Sequence, residues 1–171
     1  MPLPVVKLGS CGLEVPALGY GAMGSTAFYA VDPVAHEEES LAAIAAYVAA
    51  CAPGNALIDT AFIYAHPSGA HNETLVGKAI AIHGRMRNYA THLRSRSNRE
   101  PAPGNSSFPL SHTGDTFYYC HPLSTGGAFI IATKFGFQPD FSRDSSAVGI
   151  RAQLASSLAR LGVTTIDLYY Q

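Results

Sequence analysis

The sequence predicts an α/β fold: a partial (β/α)8 barrel with an N-terminal β-hairpin, about four parallel strands and three helices. Two observations carry that expectation. Short β-prone apolar runs alternate with stretches of helical period, the pattern of parallel strands joined by helices. Ionisable residues also stand at or just past the C-terminal ends of those runs, where barrel proteins build their chemistry.

Val5 to Leu8 is apolar and β-prone, Gly9 to Gly12 is turn chemistry, and Leu13 to Val15 resumes a strand. Leu18 to Gly24 reads as a short buried strand entering a glycine-rich loop. It is not a GxGxxG turn opening a helix, so a Rossmann phosphate site is not expected here. A helix follows, with Asp32 as N-cap, Pro33 in its first turn and Glu37, Glu38 and Glu39 near the positive end of its dipole. Leu41, Ile44, Ala45 and Val48 form its apolar stripe, and Gly54 is the expected residue just past its end. Ala56 to Ile58 is a short strand that runs into Asp59. The second helix is expected from Asn72 to His83, with Leu75, Ala79 and Ile82 inward.

Phe129 to Lys134 is an apolar strand ending in a lysine. The third helix starts near Ser145-Ser146, shows Ile150, Leu154, Leu158 and Leu161 on one face, and stops at Gly162. Thr165 to Gln171 is the last β-prone run. Residues 84–127 break the alternation. They gather five arginines with abundant Pro, Gly, Ser and Asn, and hold neither period for long, so this segment is expected to be a disordered insertion.

Composition narrows the partners. An apolar fraction of 47% with 13% charged residues is that of a chain that folds around a core. A net charge of −1 gives nucleic acid or an anionic membrane nothing to recognise. The most apolar stretch, 41–58, is interrupted by Pro53-Gly54 and is too short to cross a bilayer core of about 30 Å. Cys11, Cys51 and Cys120 make an odd count without CxxC spacing, which suits a reducing compartment and a cytoplasmic protein. Oligomeric state is left open.

Asp59, Tyr64 and Lys134 make one chemical unit if the barrel reading holds. A tyrosine hydroxyl, with an ordinary pKa of about 10, is a poor acid or base near neutrality. A lysine ammonium beside it favours the phenolate, and an aspartate paired to the lysine holds that charge in place. Such a tyrosine can hand a proton to a carbonyl oxygen. Each residue alone at a strand end would more often be structural; their joint placement is what points to chemistry. His66 and His71, five residues apart on a polar loop without a third ligand in view, are a poor metal site. Glu73 and Asp167 read as structural anchors, and Tyr118-Tyr119 with the nearby arginines as solvated chain. A Schiff-base role for Lys134 would need a neutral amine, which a partner aspartate opposes.

The segments KLGSCGLEVPALGYGAMG, ALIDTAFIYAHPSGAHNETLVGKAI, IIATKFGF and IRAQLASSLARLGVTTIDLYYQ are similar, in order and content, to the aldo-keto reductase family. The resemblance implies NADP(H)-dependent reduction of small-molecule aldehydes or ketones. It assigns Tyr64 as general acid with Lys134 and Asp59 as its catalytic partners, and sets Gly21, Ala22, Met23 and Asp59 against the nicotinamide side of the cofactor. A non-catalytic alternative, in the manner of the potassium-channel β subunits of that superfamily, would bind cofactor or a partner protein. The family normally continues Tyr-Tyr-Gln with a catalytic histidine. The expectation is therefore an incomplete barrel, 1–171, inactive by itself, whose 84–127 segment reflects a translated intron or an incomplete gene model.

Overall fold

A computed structural model describes residues 1–9, 13–84, 118–120 and 129–171; the disorder expected across 84–127 concerns residues that lie mostly outside these. A hairpin comes first: β1 (Val5–Leu8) pairs antiparallel with β2 (Leu13–Pro16). Then come β3 (Tyr20–Gly21), a 3-10 turn (Met23–Ser25), α1 (Glu37–Ala50), β4 (Ala56–Asp59) and α2 (Asn72–His83). The chain closes with β5 (Tyr118–Cys120), β6 (Phe129–Lys134), α3 (Ala147–Leu161) and β7 (Leu168–Tyr170).

The sheet runs β3-β4-β6-β7-β5. Its first four strands are mutually parallel and follow one another in the sheet in the order of the chain, while β5, which lies between β4 and β6 in the chain, runs antiparallel along the far side of β7. Four parallel strands and three helices are the expected content, and the sheet remains open among the described residues. Tyr118–Cys120, inside the segment expected to be insertion, contributes backbone pairing to that sheet.

Parallel strands in register share a face. One face carries Ile58, Ile131 and Tyr169 against the helices, in a core that also holds Ile44, Val76, Ala79 and Leu161. The other face carries Leu57 and Ile130, which pack on Leu13 and Val15 of the hairpin. Further along this second face stand Asp59, Ala132, Lys134 and Tyr170. The hairpin thus covers the N-terminal end of the inner face and leaves the ionisable C-terminal end open.

Helix ends follow local chemistry. Ser146 caps α3 by accepting from Gly149 N at 3.0 Å, and Gly162 ends it at φ 66°, the left-handed conformation glycine adopts without a side-chain clash. Three sequence expectations shift. α1 begins at Glu37, because His36 (φ −104°, ψ 19°) departs from helical geometry; Asp32 instead heads a separate turn, accepting from Ala35 N at 3.0 Å. Gly54 (φ 90°) serves the turn into β4, with the helix already ended at Ala50. Ile82 is exposed, and Val76 takes the inward place beside Leu75 and Ala79, since the buried arc of α2 is centred nearer its N-terminus.

Candidate active site

Asp59 ends β4, Lys134 ends β6 and Tyr170 ends β7, so strand alternation aims all three at the open end of the inner face. Lys134 Nζ donates to Asp59 Oδ2 at 2.5 Å and to the Thr60 carbonyl at 2.9 Å. Tyr170 Oη donates to Asp59 Oδ1 at 2.5 Å. Both carboxylate oxygens therefore hold a donor. The Lys134 ammonium lies between two aromatic faces, 5.1 Å from the Tyr64 ring centroid and 5.2 Å from that of Tyr170, where ring quadrupoles favour a cation. An ammonium has three donors. The two committed to Asp59 and Thr60 fix its place, and the third is unclaimed among the described residues.

Tyr64 reaches this cluster from the loop after β4. That loop is held down at several points: Phe62 N donates to the Lys134 carbonyl at 3.0 Å, and Asn72 N to the Tyr64 carbonyl at 2.8 Å. His71 caps α2 by accepting from Glu73 N at 3.2 Å on Nδ1, while its Nε2 donates to the Phe62 carbonyl at 2.9 Å. Burial is the main cause that lowers the His71 pKa, with the Arg160 charge second, so the ring stays neutral and keeps its acceptor. Both nitrogens of His71 serve the backbone, whereas His66 Nδ1 pairs with Ser68. No group of three metal-ligating side chains occurs among the described residues.

Asn72, wholly buried, joins three elements: it donates to the Ala22 carbonyl at 2.7 Å and to Thr26 Oγ1 at 2.8 Å, and accepts from Thr60 Oγ1 at 2.7 Å. It thereby locks the 21–26 loop against the end of β4, where Ala22 N also donates to the Asp59 carbonyl at 2.8 Å. Gly21 is exposed beside Asp59, and a Cβ there would meet nothing within 4 Å. A flat ring has room to approach this bare strip. The Ala22 side chain is buried in the core, so only its backbone can take part, and Met23 is half-buried.

Above the cluster opens a cleft of about 280 Å³, lined by Phe28, Ile63, Tyr64, Lys134, Phe137 and Phe141 together with Gln171 and the buried Ala61 and Phe135. Its wall is apolar and its floor is Tyr64 and Lys134. Phe28 meets Tyr64 edge to face at 6.1 Å and Phe141 at 6.3 Å. An apolar cleft over one ammonium and one phenol suits a small ligand with a single polar acceptor better than an anion-rich one.

Solved structures of similar fold include an aldo-keto reductase from Bacillus halodurans in its holo form, with a TM-score of 0.58 and 22% identity. That match covers 98% of this chain and 39% of the other. A Bombyx mori aldo-keto reductase in complex with NADP aligns at a TM-score of 0.53 and 20% identity, over 99% of this chain and 38% of that one. In sequence, the chain is 32% identical over 171 residues to probable aldo-keto reductase 1 of Glycine max. In sequence and in fold the chain is similar to aldo-keto reductases. No family model matches it. It spans 35% of the length of the soybean protein while 97% of its own residues align.

The structure brings Asp59, Tyr64 and Lys134 together, and sets Gly21 beside them. Tyr170 was not singled out from the sequence, because Tyr169-Tyr170 on a strand must put one ring on each face and nothing local says which. Tyr169 takes the helix side, where burial pushes its phenol pKa up and keeps it protonated. Asn72 read only as a helix start, and its buried network depends on Ala22 and Thr26, far away in the chain.

Proposed function

We propose that this site reduces aldehydes or ketones with NADPH, Tyr64 giving the proton to the carbonyl oxygen. The observation that carries the reading is the Asp59–Lys134 ion pair lying under Tyr64 at the floor of an apolar cleft. The bare strip at Gly21, with Met23 and Asp59, suits the nicotinamide ring, and that group would supply the hydride. The Lys134 ammonium, held in place by Asp59, stabilises negative charge gathering on the Tyr64 oxygen as its proton leaves. The apolar wall keeps water from competing for that proton. Among the described residues the sheet is open, so we expect residues 1–171 by themselves to turn over little.

The test titrates the purified chain with NADPH by fluorescence and then assays 4-nitrobenzaldehyde reduction, comparing Tyr64→Phe. NADPH binding should be equal in the two proteins, and any reduction should fall at least about 100-fold in the variant. Absence of saturable NADPH binding, or reduction indifferent to Tyr64→Phe, overturns the reading. Brisk saturable turnover by the wild-type chain overturns only the expectation that it is slow. Binding with no turnover in either protein favours a non-catalytic cofactor-binding role.

A further inference from the structure

Tyr170 stands opposite Lys134 in the β6–β7 register, so the two side chains share the inner face. Its backbone carbonyl accepts from Phe135 N at 2.9 Å, which pins the strand end where the side chain emerges. From there the hydroxyl reaches Asp59 Oδ1 at 2.5 Å, two strands away and 111 residues earlier in the chain, while the ring lies 5.2 Å from Lys134 Nζ. One residue thus touches both members of the ion pair.

A carboxylate held through one oxygen can rotate about its Cβ–Cγ bond and offer either oxygen to a partner. Asp59 and Lys134 are 35% and 27% exposed, so water competes for both. A pair of this kind exchanges readily unless further bonds fix it. Bonds in which one partner is ionised are stronger and shorter than neutral ones, so a phenol on Oδ1 is an effective restraint. It holds the carboxylate plane and turns Oδ2 towards the ammonium.

We propose that Tyr170 is a positioning residue for the reaction: by holding Asp59 Oδ1 it fixes Oδ2, and through it the Lys134 ammonium, beneath Tyr64. The proposal rests on the reductase reading of the Asp59–Lys134–Tyr64 cluster. Tyr170 does not touch the cleft that would take the substrate; it acts through Asp59.

The chain has three lysines, Lys7, Lys78 and Lys134, which makes amine labelling a direct probe. The full chain, as wild type and as Tyr170→Phe, is treated with a low dose of acetic anhydride at fixed pH. Labelling at each lysine is then followed by mass spectrometry. Phenylalanine keeps the ring beside the ammonium and removes only the hydroxyl. Lys134 should then label about tenfold faster relative to Lys7 and Lys78, the effect of losing one hydrogen bond to a charged group. In an Asp59→Asn background the same substitution should add little, because the carboxylate it acts on is gone. A merely structural tyrosine would raise all three lysines together and lower the melting temperature.

An unchanged Lys134 rate relative to the other two lysines, or a uniform rise at all three, overturns the proposal. If Tyr170→Phe melts below the assay temperature, Tyr170→Leu repeats the test and must release Lys134 at least as strongly. Labelling needs neither cofactor nor turnover. A chain that fails to bind NADPH but releases Lys134 in Tyr170→Phe therefore counts against the reductase reading alone.

Discussion

The Glu73 carboxylate is completely buried, and Arg160 of α3 reaches it with Nε at 2.8 Å and Nη2 at 2.6 Å. Thr133 donates to the other carboxylate oxygen at 2.7 Å, so one side chain of α2 ties together β6 and α3 directly behind Lys134. The Arg160 guanidinium also lies 4.8 Å from the Phe62 ring centroid. Removing one partner of such a pair strands a buried charge. Glu73→Gln should lower stability by about 3 kcal/mol in urea unfolding, the lower end for broken buried pairs because Arg160 keeps some access to water. A loss below about 1 kcal/mol would show that water already satisfies Arg160.

Gly77 marks the close approach of the same two helices. A Cβ built there would lie 2.6 Å from the Arg160 carbonyl oxygen and 3.0 Å from that of Leu161. Alanine is ordinarily worth about 1 kcal/mol over glycine inside a helix. Here the methyl must push α3 off α2, at a cost of about 1–3 kcal/mol. Gly77→Ala is therefore expected to lower the thermal midpoint despite its better propensity. A raised midpoint would mean that the helices can part freely.

How much of this was legible follows from where the determinants lie. The α3 boundaries were readable because Ser146 and Gly162 act within one turn of their own positions. Asp59 and Lys134 were readable because a strand end is a local feature and the flanking motifs resemble a known family. The start of α1 was not, since Asp32 satisfies the same local rule by capping a turn that then breaks at His36. The inward choice of Tyr170 over Tyr169 is a register fact, set by pairing with Lys134 and Thr133. The buried roles of Asn72 and Glu73 need partners 46 to 87 residues distant, which no window on the sequence contains.

His71 gives the fold a pH dependence with a definite sign. Burial, and then the Arg160 charge, lower its pKa in the folded state, with Glu73 and the Phe62 carbonyl opposing. The unfolded chain, at the ordinary histidine value of about 6.5, takes up its proton first as the pH falls. The contribution of His71 is therefore complete above that value and is lost as the pH falls from it through the folded pKa. Urea midpoints should decline from pH 8 towards pH 5. His71→Asn, which can still cap α2 through its side-chain oxygen, should flatten that decline, whereas His71→Ala should cost about 1 kcal/mol near pH 8. A decline equally steep in His71→Asn would assign it to other groups.

Phe141 and Phe28 are the two non-glycine residues with positive φ among the described residues, at 63° and 56°. They are also neighbours, their ring centroids 6.3 Å apart at the mouth of the cleft. A bulky side chain in the left-handed region costs about 1 kcal/mol or more, and such costs persist where the surroundings impose them. Both residues are more than half exposed, so burial returns little of that cost. Phe141→Gly should consequently leave stability within about 0.5 kcal/mol of wild type or raise it, far from the 3–5 kcal/mol lost when a core phenylalanine is truncated. If the aromatic wall contributes to carbonyl binding, as the proposed function requires, the same variant should bind 4-nitrobenzaldehyde up to about tenfold more weakly by calorimetry. A variant that is destabilised yet binds the aldehyde unchanged would make Phe141 a packing residue and move the recognition of substrate to Phe28 and Tyr64.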